Sequence, residues 1–194
     1  MGYLKVILGS MFAGKTTELI KEYKRHSSCG YKCLFINHVI DDRYVTEKNK
    51  TSTHDKVIVN SLNVGDNLLD FFNKDCPTYY LMSQYNVIFI NEGQFFKDLY
   101  DFVDLIVNSK NKKVFVCGLD GDFKRKTIGS ILNIIPLCDD VIKIKAICCD
   151  CKTNDGIFTH RLTDEKKQLV VGSKNYVSLC RKCYNKKNKF VCRN

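Results

Sequence analysis

Gly9-Ser10-Met11-Phe12-Ala13-Gly14-Lys15-Thr16-Thr17 decides how the rest of this chain is read. Its spacing is G-x-x-x-x-G-K-T, with Gly9, Gly14, Lys15 and Thr16 at the fixed positions. Residues 3–8 before it are apolar and partly β-branched, which suits a buried strand. Leu19, Ile20 and Tyr23 come after it at helical spacing. Strand, glycine loop and helix together are what a phosphate cradle needs. The glycines let backbone N–H groups curl toward an anion, and the positive end of the helix dipole points the same way. Lys15 is expected to reach the β- and γ-phosphates, with the Thr16 hydroxyl on Mg²⁺. A chance match is the bland alternative, and the flanking strand and helix weigh against it.

With 194 residues and 44% hydrophobic content, the chain is long enough for one good core and a small appendage. Two prolines and eleven glycines exclude a low-complexity or disordered class. The apolar runs are too short to span a membrane. Residues 1–8 read as a strand feeding the loop, not as a cleavable leader. A net charge of +10 admits two partners, a nucleic acid or small anionic nucleotides. The lysines at 186, 187 and 189 suit a solvated tail as well as a DNA contact, so charge alone does not decide.

Further along, residues 32–37 read as a second strand and the polar stretch 40–55 as a loop. His54 in that loop is read as a hydrogen-bonded loop histidine in preference to a catalytic one. Residues 57–59 suggest a short strand and 68–72 a short helix. The apolar run 85–90 ends in Asn91-Glu92-Gly93-Gln94. Polar residues just past a buried strand are where open α/β sheets place their chemistry. Leu99, Phe102, Val103 and Ile106 have the spacing of an amphipathic helix. The strand 113–117 then runs into Gly118-Leu119-Asp120-Gly121-Asp122-Phe123, and 141–144 forms a last strand after a helix-like stretch through Pro136. Strands alternating with helices predict an α/β fold, a mostly parallel sheet with helices on both faces.

The character changes near residue 147. Cys148-x-x-Cys151 and Cys180-x-x-Cys183 form two knuckles of the tetrahedral thiolate zinc type, with Cys149 open as a substitute for Cys148. A phosphate-loop enzyme with eleven cysteines and no leader belongs in a reducing compartment, so metal ligation is preferred to disulfides. Thiols clustered by chance in a cysteine-rich chain are the alternative.

Taken together these motifs resemble the type II thymidine kinases, the short zinc-containing family of poxviruses, many bacteria and animal cytosol. That family's loop reads Gly-Pro-Met-Phe-Ser/Ala-Gly-Lys-Ser/Thr-Thr-Glu-Leu. Its Asp-x-Arg-Tyr, Thr-His-Asp and Asp-Glu-Gly-Gln-Phe-Phe segments are matched at 41–44, 53–55 and 91–96. Residues 119–126, 131–137 and 180–184 also resemble it closely. The resemblance implies a RecA-like P-loop sheet over 1–146, a zinc-ribbon and lasso domain over 147–185, and a basic tail over 186–194. It implies ATP on residues 9–16 with Asp41, Asp42, Arg43, Asn91, Gly93 and Gln94 on the nucleotide side. It makes Glu92 the base for the 5′-hydroxyl of thymidine, with deoxyuridine as another acceptor. Met11, Phe95, Leu119, Phe123 and Thr159 are then expected at the nucleoside, with Phe123 packed on it. Gln168, Leu169, Val170, Val171, Gly172 and Tyr176 would form the lasso that closes over thymine. A structural zinc on Cys148, Cys151, Cys180 and Cys183, a homotetramer, feedback by dTTP and a cytoplasmic setting (the host's for a viral chain) are implied as well. Two departures stand out. Ser10 replaces the family's proline and is expected to loosen the loop a little. Asn91 replaces an aspartate of the Mg²⁺ shell and brings no charge.

The chemistry of the residues agrees with this resemblance. Phosphoryl transfer needs charge neutralisation and in-line placement more than covalent help. Glu92 is the acid that satisfies both position and motif, with an N-cap or ion-pair role as its alternative. A basic zinc-ribbon P-loop ATPase acting on nucleic acid would also explain charge and cysteines. It leaves the 92–96 and 119–123 motifs without a purpose.

Overall fold

A computed structural model describes residues 1–40, 50–52, 58–72, 81–170 and 172–188. Asp41, Asp42, Arg43, His54, Val57, Val171 and the tail beyond 188 lie outside the described residues. Along the chain run β1 (Tyr3–Gly9), α1 (Lys15–Ser28), β2 (Cys33–His38), β3 (Lys50–Ser52), β4 (Ile58–Asn60) and β5 (Leu62–Val64). Next are α2 (Leu81–Gln84), β6 (Val87–Ile90), α3 (Leu99–Asp104), β7 (Lys113–Leu119) and β8 (Asp140–Ile144). Last come β9 (Ala146–Ile147), β10 (Asp155–Gly156), β11 (Phe158–Arg161), β12 (Tyr176–Leu179) and α4 (Arg181–Lys187).

Six strands form one sheet in the order β5-β2-β6-β7-β1-β8, and every ladder in it is parallel. Alternation along the strands sorts side chains to two faces. Leu4, Val6, Leu8, Ile88, Ile90, Val114 and Val116 face one way, onto Leu99, Phe102, Val103 and Ile106. Ile7, Phe35, Val87, Phe89 and Phe115 face the other way, onto Leu19 and Ile20 of α1. The expected amphipathic helix is therefore present, and its four apolar positions are all fully buried. It is shorter as an α-helix than the pattern suggests, continuing over Leu105–Ser109 as a π turn. The helix-like stretch before Pro136 is a 3₁₀ helix, Ile131–Leu137, with Pro136 inside it; proline has no N–H to continue an α-helical ladder.

Gly9 lies level with Leu119 of β7 and Ile144 of β8, so the phosphate loop leaves the sheet at the carboxyl ends of the strands. Asn91 and Glu92 emerge from β6 at the same edge. Beyond β8 the chain forms two antiparallel pairs, β9–β10 and β11–β12. These and α4 enclose a small core of Cys148, Leu179, Cys180, Cys183 and Tyr184. Among the described residues, no helix is long and apolar enough to cross a membrane.

Candidate active site

The loop turns through left-handed backbone at Phe12 (φ 61°) and Gly14 (φ 84°). Gly14 then opens α1, a position where a side chain would strain the backbone, and no side chain caps that helix start. Lys15 is buried, with Nζ donating to the Ser10 carbonyl at 2.8 Å. The Thr16 hydroxyl donates to Asn91 Oδ1 at 3.1 Å, which joins the loop to the end of β6. Asn91 is itself fully buried, and its Nδ2 donates to Asn37 Oδ1 at 2.8 Å. The Cys117 thiol donates to the same Asn91 oxygen at 3.1 Å. Thr16 and Asn91 thus present a pair of hard oxygens, the donor type Mg²⁺ prefers.

Ser10, expected to loosen the loop a little, is engaged in hydrogen bonds. Its buried hydroxyl donates to the Gly156 carbonyl at 2.9 Å and lies 3.4 Å from the Ser178 hydroxyl. Ser178 donates in turn to the Met11 carbonyl, and the Met11 amide donates to the Thr159 hydroxyl at 3.1 Å. The serine therefore ties the phosphate loop to β10 and β12, where a proline would have no hydroxyl to do so.

Glu92 has φ 53° and ψ 44°. Left-handed backbone is uncommon for a residue with a side chain, and it clusters at functional sites. Although Glu92 stands where an N-cap would, before the 3₁₀ turn Gly93–Phe95, its side chain makes no cap hydrogen bond. Its carboxylate accepts from Gln94 Nε2 at 2.5 Å, and Gln94 Oε1 accepts from the Leu119 amide at 3.1 Å. Gln94 and Gly93, expected on the nucleotide side, are both buried beneath that turn. The Gln94 side chain thus bridges Glu92 and Leu119. Room for it comes from Gly118, where a Cβ would sit 2.2 Å from Gln94 Oε1.

Glu92 forms part of the wall of a cavity that is partly open to solvent. Met11, Phe95, Leu119, Phe123 and Thr159 all line it, as expected of nucleoside contacts. So do Gln168, Leu169, Val170, Gly172 and Tyr176. Ile40, Gly121, Asp122 and Ile128 line it as well and were not foreseen. Asp122 carried a signal, standing beside Phe123 in the motif. It accepts from the amides of Lys124 and Lys126 at 2.8 and 2.7 Å, and from Gln168 Nε2 at 3.1 Å. Two contacts from outside the wall were not foreseen, although Tyr184 stands in the matched segment 180–184. Arg161 lies over the Phe123 ring at 3.8 Å, and the Tyr184 hydroxyl donates to the Phe123 carbonyl at 2.5 Å.

The sulfurs of Cys148, Cys151, Cys180 and Cys183 lie within 4.8 Å of one another. Cys151 and Cys180 are 3.9 Å apart, near the roughly 3.8 Å edge implied by four Zn–S bonds of about 2.3 Å. Cys149 is exposed and outside the cluster, so the open choice between it and Cys148 falls to Cys148. Hydrogen bonds from Thr153 and Asn154 bring the Cys151 thiol down to about 5, whereas burial pushes Cys183 up. A dication would let all four ionise.

The thymidine kinase family pattern matches residues 2–184 of the chain. Cytosolic thymidine kinase of Cricetulus griseus is 40% identical over 188 residues, which is 96% of this chain and 75% of that protein. The thymidine kinases of Sheeppox virus (strain KS-1) and Vaccinia virus (strain Ankara) are each 38% identical over 184 residues, 94% of this chain and 97% of theirs.

Proposed function

This chain belongs to the thymidine kinase family, and from that premise we propose that it phosphorylates the 5′-hydroxyl of thymidine with ATP to give dTMP, with Glu92 as base. The observation that carries the assignment of Glu92 is its setting. A strained residue at the end of β6, held by Gln94, stands on the wall of the cavity that the expected nucleoside residues line. Its carboxylate takes the proton of the hydroxyl as that oxygen attacks the γ-phosphorus and ADP leaves. Lys15 and the amides at the start of α1 cradle the phosphates, and Asp41, Asp42 and Arg43 belong to the same side. Thr16 and Asn91 would hold Mg²⁺, which when bound neutralises charge between the β- and γ-phosphates. Phe123 stacks on the base, and residues 168–172 with Tyr176 close over it. The four-cysteine cluster holds zinc in a structural role, because four thiolates leave no position for a reactive water.

Incubation with ATP and thymidine, deoxyuridine or deoxycytidine tests the reaction. ADP and dTMP should appear in equal amounts with thymidine. ATP consumption that requires DNA and ignores thymidine would overturn the reading. A homotetramer, inhibition by dTTP and a cytoplasmic setting (the host's for a viral chain) belong to the same proposal; sedimentation and inhibition assays check the first two.

Asn91→Asp should lower the Mg²⁺ concentration for half-maximal rate by about tenfold, because a carboxylate adds charge where the amide offers a dipole. The new oxygen would face Asn37 Oδ1, which now accepts from Asn91 Nδ2. Asn37 can reverse its amide to donate instead, so the variant should fold. Titrating Mg²⁺ against initial rate and against ATP binding checks this. Superimposable curves for both proteins would remove position 91 from the metal's surroundings.

A further inference from the structure

We propose that Arg161 is the positioning residue of the nucleoside cavity, a buried guanidinium that backs the Phe123 ring and pins the covering segment 165–170 in place. The inference rests on reading that cavity as the thymidine site. Arg161 ends β11 opposite Tyr176 of β12 and is 5% exposed. One terminal nitrogen donates to the Glu165 carbonyl at 2.8 Å and to the Lys167 carbonyl. The other donates to the Gln168 carbonyl at 3.0 Å and to the Tyr176 hydroxyl at 2.6 Å. All four terminal N–H bonds of the fork are thereby used, while Nε–H has no partner among the described residues. The Tyr176 hydroxyl passes the constraint on, donating to the Val170 carbonyl at 3.0 Å and accepting from its amide at 3.2 Å.

Among the described residues, no carboxylate pairs with this cation. Three carbonyls and a phenol accept its protons, and the rings of Phe123 and Tyr176 lie 3.8 and 5.1 Å from its carbon. A cation taken out of water is costly unless so satisfied. What it supplies here is rigidity that hydrophobic burial cannot supply, since 163–168 reads Thr-Asp-Glu-Lys-Lys-Gln and is exposed throughout. The planar fork has no substitute in lysine, which carries three donors on a point charge and cannot stack as a plane.

Arg161→Lys should therefore raise KM for thymidine by about tenfold or more, since a lost charge-assisted hydrogen bond is worth roughly that factor. KM for ATP and zinc content should not change. Trypsin should cut the variant after Lys166 or Lys167 even with thymidine present, while thymidine protects the wild type. Tyr176→Phe removes the hydroxyl that relays the constraint to Val170, and should shift the same two readouts in the same direction by less. It carries the test should Arg161→Lys fail to fold. A merely structural role would lower the active fraction and so the apparent kcat, with both KM values unmoved. An unchanged thymidine KM in either folded variant, or an equal rise for ATP, overturns the proposal. A wild type that leaves thymidine unphosphorylated overturns the reading of the cavity and this role together; an active wild type confines any failure to Arg161.

Discussion

Glu92→Gln should lower kcat by about a hundred- to ten-thousand-fold, the usual cost of losing one general base, while thymidine and ATP still bind. The replacement is nearly isosteric and keeps an oxygen to accept from Gln94 Nε2. The left-handed backbone at this position is already adopted by a residue with a side chain, so no new strain enters. The variant should therefore fold, keep its cavity and lose only the group that takes the proton. Single-turnover rates and calorimetric affinity for thymidine, measured separately, decide the matter. A near-normal kcat would end the assignment, and a lost affinity with normal kcat would make Glu92 a binding group.

Removal of zinc, or the Cys180→Ser/Cys183→Ser double change, should abolish thymidine binding before the nucleotide side fails. Two connections carry the effect. Tyr184 sits directly after Cys183, lies in the small cysteine core, and donates its hydroxyl to the Phe123 carbonyl. Ser178, two residues before Cys180, bonds the backbone of Met11 in the phosphate loop. Structural zinc sites commonly supply the folding energy of their module, so the four sulfurs should separate once a metal bound among them is removed. The six-stranded sheet has its own two apolar faces and should persist. Metal content, circular dichroism and separate thymidine and ATP affinities check the order of loss. Full zinc in the double variant, or intact thymidine binding in stripped protein, would contradict the scheme.

The parallel sheet was legible because its signals are local. Apolar runs at 3–8, 85–90 and 113–117 announce strands, and the G-x-x-x-x-G-K-T spacing places a phosphate loop and a helix directly after the first of them. Asn91 and Glu92 were legible for a related reason, as polar residues placed immediately after a buried strand. The predicted nucleoside residues that the structure describes also come together on one cavity wall.

The α/β class, the glycine loop between strand and helix, the two cysteine knuckles and the place of Glu92 just past a buried strand could all be read from the chain unfolded, because each is a short-range pattern. Tertiary structure decided whatever depends on residues far apart in the chain. It chose Cys148 over Cys149, since only convergence of four sulfurs distinguishes neighbours in sequence. It gave the Gln94 side chain partners in both Glu92 and Leu119, because Leu119 and Gly118 arrive from another strand. It gave Ser10 a partner in Gly156, where the loop alone suggested only slack. It buried Arg161, for which sequence reasoning offered no role. A guanidinium leaves water only where carbonyls and aromatic faces converge to replace it, and that convergence exists only once β11, β12 and the segment between them have folded together.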